Sequence, residues 1–254
     1  MTTAICYFTG TGNTLYLAKR FDDAVLLDIT KINEGNAVIP EDTERLGIFF
    51  PVYMGGVPYP VRSFISSCLS ERDNSGLKYI FAAATCGSSG KGAEWMIDRL
   101  LQDAGLALSY SISIKFPDSY IPLMKTLPDE AKAKEILEKS EEKILTLLND
   151  VEKEEIKLPS KPFLGKILMK MNDKTGPGAP DEKMSVGSTC TSCGLCASIC
   201  PSGNITLTPG GAMLGNKCLH CYACYNFCPT ESILYKGRDD HYKGLLDPKE
   251  LEKR

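Results

Sequence analysis

Histidine is scarce in this chain: 2 in 254 residues, His220 and His241, alongside a single tryptophan, Trp95. That leaves little room for imidazole-based nucleophile activation or for zinc sites that pair Cys with His. No run of about 18 apolar residues occurs, so no membrane span is expected. The start, Met1-Thr-Thr-Ala-Ile-Cys-Tyr-Phe8, has no positive region and runs straight into a strand pattern, so a signal peptide is not expected. Without a secretory signal a disulfide framework is not expected either, and a reduced, cytoplasmic protein is. The net charge is only −3, and no basic, aromatic-interleaved surface points to nucleic acid. The Gly-Lys-Ser/Thr of a Walker loop is missing. What remains is a globular composition, 43% hydrophobic and 24% charged, in a chain long enough for two domains.

Cysteine is the exception, with 11 in the chain. Eight fall into two C-terminal runs, Cys190-Thr-Ser-Cys193-Gly-Leu-Cys196-Ala-Ser-Ile-Cys200-Pro201 and Cys218-Leu-His-Cys221-Tyr-Ala-Cys224-Tyr-Asn-Phe-Cys228-Pro229. Both read C-x2-C-x2-C-x3-C-P. Three thiolates at this spacing wrap three corners of one [4Fe–4S] cube, and the fourth serves the other cube. One cluster then takes Cys190, Cys193, Cys196 and Cys228; the other takes Cys218, Cys221, Cys224 and Cys200. A structural zinc site has no use for a third cysteine at the next step. His220 is expected as loop filler or as an N–H donor to sulfur. The segment 188–236 resembles a bacterial two-cluster ferredoxin domain, with Asn204–Thr208 and Ile233–Tyr235 as short strands after the two runs.

At the other end, Ala4–Phe8 predicts a buried strand. Thr9-Gly10-Thr11-Gly12-Asn13-Thr14 follows, then a helical face of Leu15, Leu17, Ala18 and Phe21. Strand, glycine-and-hydroxyl loop and helix form the layout of a phosphate site, where free N–H groups and the positive end of the helix dipole meet the anion. The dinucleotide fingerprint fits Gly10 and Gly12 but meets Leu15 where its third glycine belongs; Asp28, at the end of the next strand, would suit a ribose. The loop resembles the flavodoxin phosphate loop. That resemblance implies that Thr9, Thr11, Thr14 and the neighbouring amides hold the phosphate of FMN.

Further strands are predicted at 24–29, 45–50, 77–84 and 106–114, with helices at 57–69, 93–104 and 128–150. The third strand runs into Pro51-Val52-Tyr53-Met54-Gly55-Gly56, at the ligand edge of an open sheet. Tyr53 either stacks on a flavin or is a half-buried loop tyrosine. The fourth runs into Thr85-Cys86-Gly87-Ser-Ser-Gly90, where the flavodoxin resemblance implies a second ring-flanking loop. With no histidine near it, Cys86 is expected as a loop residue rather than a catalytic thiol. Cys68 and Trp95 are expected in the core. Five strands with intervening helices predict a doubly wound parallel α/β domain. It resembles the flavodoxin fold, which implies strand order 2-1-3-4-5. A stiff loop, Phe116–Pro122, departs from that pattern, and its Tyr120 is placed to cover a flavin or to dock the second domain.

These readings divide the chain into a flavodoxin-like domain at 1–158, a linker at 159–187 and a ferredoxin-like domain with tail at 188–254. The linker carries Lys161, Lys166 and Lys170 beside Phe163, Leu164, Ile167, Leu168 and Met171. Such a basic amphipathic stretch either lies on a membrane or, as expected here, packs the domains together. No role is evident for the tail 237–254. The whole resembles flavodoxin–ferredoxin fusion proteins. The resemblance implies an intracellular electron-transfer flavoprotein with FMN, two [4Fe–4S] clusters and redox protein partners, convertible between two- and one-electron traffic. The alternative is an FMN-dependent reductase of a small organic substrate fed by its own clusters. A homodimer is left open.

Overall fold

The structure, a computed structural model, describes residues 1–252 except 123 and 164. Leu164 of the basic stretch, the side chains of Lys166 and Leu168, and Arg254 of the tail lie outside the described residues.

Strands β1 (Thr3–Tyr7), β2 (Val25–Asp28), β3 (Arg45–Pro51), β4 (Tyr79–Cys86) and β5 (Tyr110–Lys115) form one parallel sheet in the order β2-β1-β3-β4-β5. Every residue of β1 and β4 is buried. That explains their unbroken apolar runs, since a parallel sheet is covered on both faces. On one face Ala4, Cys6, Ile48 and Phe50 pack under α2 (Ile29–Asn33), α3 (Tyr59–Ser63) and α4 (Lys91–Asp103). On the other, Ile5, Tyr7, Phe49 and Phe81 pack under α1 (Asn13–Ala18) and α5 (Glu130–Glu152). Gly47 of β3 is required by this second face. A Cβ there would lie 2.8 Å from the Phe81 ring and 3.0 Å from Ile5.

Two predicted elements differ from those observed. The helix expected over 57–69 starts at Tyr59, because Pro58 is extended and caps it, and it widens into a π turn at Phe64–Leu69. The i→i+5 bond from Ser70 N–H to the Ile65 carbonyl, 3.0 Å, closes that turn and keeps Phe64, Ile65 and Leu69 buried. The fifth strand starts at Tyr110 rather than Leu106, because Leu106 N–H is spent on the Leu101 carbonyl at the end of α4. Lys157 then returns beside β5, bonding Ser109 and Ser111 and covering part of that sheet edge.

Helix α6 (Gly165–Asn172) packs on α4: a Cβ at Gly165 would meet the Trp95 ring at 2.9 Å. Arg62 donates to both the carbonyl and the side-chain oxygen of Asn172 at 2.7 Å, tying the linker to the sheet domain. Phe163, Ile167 and Met171 stay exposed. Among the described residues no helix is long and apolar enough to cross a membrane.

The C-terminal unit is built from two short antiparallel pairs, β6 (Met184–Val186) with β9 (Ile233–Tyr235) and β7 (Ile205–Thr208) with β8 (Gly211–Leu214), and two single-turn helices, α7 (Leu195–Ser198) and α8 (Ala223–Asn226). Its core of Tyr222, Tyr225, Tyr235 and Tyr242 also takes in Ile121, Leu127 and Ala133 of the sheet domain. Conversely, Ile199, Ala223 and Phe227 complete the α1/α5 side of the sheet.

Candidate functional site

A cleft of about 200 Å³ opens where the parallel strands end. β1 delivers Thr9, Gly10, Thr11, Asn13 and Thr14 to it. β3 delivers Pro51 through Gly55, and β4 delivers Thr85, Cys86 and Gly87. Gly12, Gly56 and Gly90 shape the loops without lining the cleft. Gly12 has φ +93°, a left-handed conformation that suits glycine, and turns the chain into α1. Gly56 pairs with Tyr53 in a tight bridge and packs on Asn172. Gly90 begins α4 against Ser113.

The loops are cross-tied. Thr11 Oγ1 meets Ser119 Oγ at 2.8 Å, and Thr14 Oγ1 meets Thr85 Oγ1 at 2.9 Å. Asn13 Nδ2 donates to the Pro117 carbonyl at 2.8 Å. The stiff loop after β5 is thus a fourth wall, adding Asp118 and Tyr120. Asp118 was missed in the sequence because a lone carboxylate in a loop has no pattern; Oδ1 accepts from Tyr120 N–H at 2.9 Å. Cys86 is buried, its Sγ 3.6 Å from the Ile114 carbonyl. Burial pushes its thiol up to about 11, so at neutral pH it stays protonated and is a poor nucleophile.

The eight clustered cysteines line two small cavities. Cys190, Cys193, Cys196 and Cys228 line one, with Leu207 and Ile233. Cys200, Cys218, Cys221 and Cys224 line the other, with Leu219 and Tyr222. None of the eleven cysteines is in a disulfide. The two runs repeat their backbone as well as their spacing. Ser192 and His220 have φ +55° and +54°, Gly194 and Tyr222 +87° and +55°, Gly203 and Glu231 +57° and +51°. These left-handed turns aim amides at sulfur. Asn204 N–H donates to Cys200 Sγ at 3.3 Å, and its counterpart Ser232 N–H to Cys228 Sγ at 3.1 Å. His220 N–H donates to Cys218 Sγ at 3.3 Å. Burial raises the Cys228 thiol, yet the amides of Ile233 and Ser232 and the Thr230 hydroxyl hold it below its ordinary value. Amide bonds of this kind are what tune a thiolate-held cluster.

Cleft and second cavity share a wall. Cys221 lines both, and His220 lines the cleft beside it. The fit is close: a Cβ on Gly10 would lie 2.8 Å from Cys221 Cβ and 3.0 Å from the Tyr53 hydroxyl. The tail, silent in the sequence, holds this junction. Tyr242 OH donates to Asn13 Oδ1 at 2.7 Å, and Tyr242 N–H to Asn226 Oδ1 at 2.8 Å. Helix α9 (Pro248–Glu252) buries Leu251 near Gly12, pairs Glu250 with Lys19 and accepts from Ser198 through Glu252. Arg238, paired with Asp240 at 2.7 Å, reaches the carbonyls of Ile121 and Met124.

Residues 173–233 match the 4Fe-4S dicluster domain family. Among solved structures the chain is similar to the rubredoxin oxygen:oxidoreductase of the anaerobe Desulfovibrio gigas, at 15% identity and TM-score 0.35 over 59% of this chain and 37% of that one. An archaeal flavodoxin is similar at 16% identity and TM-score 0.35, over 57% of this chain and 99% of that one. The Trp repressor binding protein of Bacillus subtilis is similar at 15% and 0.38, over 59% and 98%. The chain thus spans little more than a third of the D. gigas protein. No curated protein sequence matches the chain. Scores this low carry no weight, and the fold assignment rests on the strand order itself. The chain thus joins a five-stranded parallel sheet of flavodoxin-like strand order to a segment that matches the 4Fe-4S dicluster domain family.

Proposed function

We propose that this protein carries electrons between FMN in the cleft, two [4Fe–4S] clusters and a redox protein partner. Residues 1–158 would hold the flavin and 188–254 the clusters, with 159–187 packed as the joint. One observation carries the reading: Cys221 is at once a wall of the cleft and one of the four thiols of the second cavity.

The residues fit the groups. Loop 9–14 offers hydroxyls and helix-start amides and contains no carboxylate, as a phosphate requires. Each cysteine set offers four thiols in an apolar cavity. FMN exchanges one or two electrons and each cluster one. Thr9, Thr11 and Thr14 would bind the phosphate, and Tyr53 and Tyr120 would flank the ring and exclude water. Cys218, Cys221, Cys224 and Cys200 would hold the cluster next to the flavin. Cys190, Cys193, Cys196 and Cys228 would hold the outer one, where exposed Cys193 and Leu207 face a partner.

Anaerobic titration with a reduced low-potential ferredoxin should bleach flavin and cluster absorbance together, while NADH and NADPH alone should not. A purified protein without flavin would remove the reading. Asp118 favours a second role as an FMN-dependent reductase, since it supplies the cleft with a carboxylate. In that case Asp118→Asn would abolish substrate reduction while leaving ferredoxin-driven bleaching intact.

A further inference from the structure

A further cavity, of about 220 Å³ and distinct from the two lined by cysteines, lies beside the cleft. It shares Tyr53, Met54, Tyr120 and His220 with the cleft, and Tyr59 and Lys174 belong to it alone. Between the two, the Tyr120 hydroxyl meets Met54 Sδ at 3.7 Å, so this contact is a partition with one face on each side. Neither the phosphate loop nor the β4 loop reaches this further cavity. Its far wall is linker, Lys174 to Gly176, held by Arg62, which donates to the Thr175 hydroxyl at 3.1 Å and to its carbonyl at 2.5 Å.

The lining has a definite chemistry. Three phenol rings, Tyr53, Tyr59 and Tyr120, line it, with the Arg62 guanidinium 5.8 Å over the Tyr59 ring, and Leu219 and Pro60 add apolar surface. Aromatic rings in such a site favour offset or edge contacts with another ring. No carboxylate lines it, and Lys174 at the rim has no ion pair among the described residues. At about 220 Å³ it is close in size to the cleft beside it, and its lining suits a flat ring that carries one acid group.

We propose that this cavity binds a small planar aromatic carboxylate, its ring among the three tyrosines and its acid group on Lys174. The tyrosine–methionine partition sets that ligand next to whatever occupies the cleft. The proposal goes beyond electron carriage and stands whether or not FMN is the cleft's occupant.

The test uses the full-length protein as purified, with its cofactors, and 2-naphthoate as the probe, measured by equilibrium dialysis. Saturable one-to-one binding is expected, with flavin and cluster absorbance unchanged. Lys174→Ala should weaken naphthoate about three- to fivefold, the size of a partly exposed ion pair. The neutral isostere 2-naphthamide should bind both proteins alike. Tyr59→Ala should weaken both probes about tenfold, as loss of an aromatic contact does. Unaltered naphthoate binding in both variants would overturn the proposal. Release of flavin by naphthoate would overturn it too, since the cavity would then be part of the cleft. A protein that lacks flavin but binds naphthoate with these variant effects would refute the FMN reading alone.

Discussion

The two cysteine runs are near copies in sequence and differ sharply in surroundings. In the first, only Ile199 is buried between Cys190 and Cys200, and Cys193 is exposed. In the second, Leu219, Tyr222, Ala223, Tyr225, Asn226 and Phe227 are all buried. The spacing, the left-handed turns and the amide bonds to Cys200 and Cys228 are shared, so the arrangement of each set of four cysteines is local. What differs is the residue between the ligands. Gly194 of the first run is Tyr222 in the second, held at φ +55°. A non-glycine residue there costs about 1–3 kcal/mol. Burial of the Tyr222 ring against Tyr120 and Tyr235, with centroids 5.5 and 6.0 Å away, offsets that strain. The second run is therefore the one packed most closely on the flavodoxin-like domain, and the first, which meets that domain through Ile199, is the more exposed.

Replacing one thiol in each run breaks the comparison most severely. Cys221→Ser and Cys193→Ser should each lose about half the iron, one cluster's worth. Only Cys221→Ser should slow flavin-to-cluster exchange in stopped-flow absorbance. Equal slowing in both would refute the inner and outer assignment. Next in size is Gly10→Ala. Its methyl group would press on Cys221 Cβ at 2.8 Å, and such overpacking costs about 1–3 kcal/mol. We expect a lower Tm and slower flavin-to-cluster exchange. Gly47→Ala, which overpacks Phe81 inside the sheet, is the matched control: a similar loss of stability of about 1–3 kcal/mol with exchange unchanged.

Tyr242→Phe removes the bond to Asn13 and should reduce stability by about 0.5–1.5 kcal/mol, measured by denaturant unfolding. The smallest effect concerns Glu141, which pairs with Arg20 at 2.7 Å across α1 and α5. Arg20 lowers the Glu141 carboxyl below its ordinary 4.5. A depressed carboxyl contributes stability above its unfolded value and loses it as pH falls through the folded one. Glu141→Gln should therefore be less stable than wild type at pH 7, by at most about 1 kcal/mol for so exposed a pair. The gap should narrow as pH falls below 4.5 and through the lower folded value. A gap independent of pH would mean that the pair is held by packing rather than charge.

Much of the sheet was legible because burial on both faces leaves continuous apolar runs such as Ala4–Phe8 and Arg45–Phe50, bounded by glycine and hydroxyl loops. The start of β5 was misread because Leu106 belongs to the same apolar stretch but spends its N–H on the Leu101 carbonyl at the end of α4. The π turn was not legible, since an i→i+5 bond leaves no distinct residue pattern. Of the cleft, the three loops after β1, β3 and β4 were legible from glycine and threonine. Asp118 was not, because a lone carboxylate in a loop has no pattern; Ser119 and the tail were not, because their roles arise from contacts more than 100 positions away, as between Ser119 and Thr11 and between Tyr242 and Asn13.

The sequence by itself determined the elements whose physics is local. Cysteine spacing set two four-thiol cages, glycine and hydroxyl loops set a phosphate-type turn, and apolar runs set a parallel sheet. Only the tertiary structure decided which cage meets the cleft. Both runs carry the same four cysteines, and the choice falls to Gly10, whose missing side chain admits Cys221, and to a tail that fastens the C-terminal unit over α1. Those contacts are long-range and depend on shape, so no periodicity or motif in the chain encodes them.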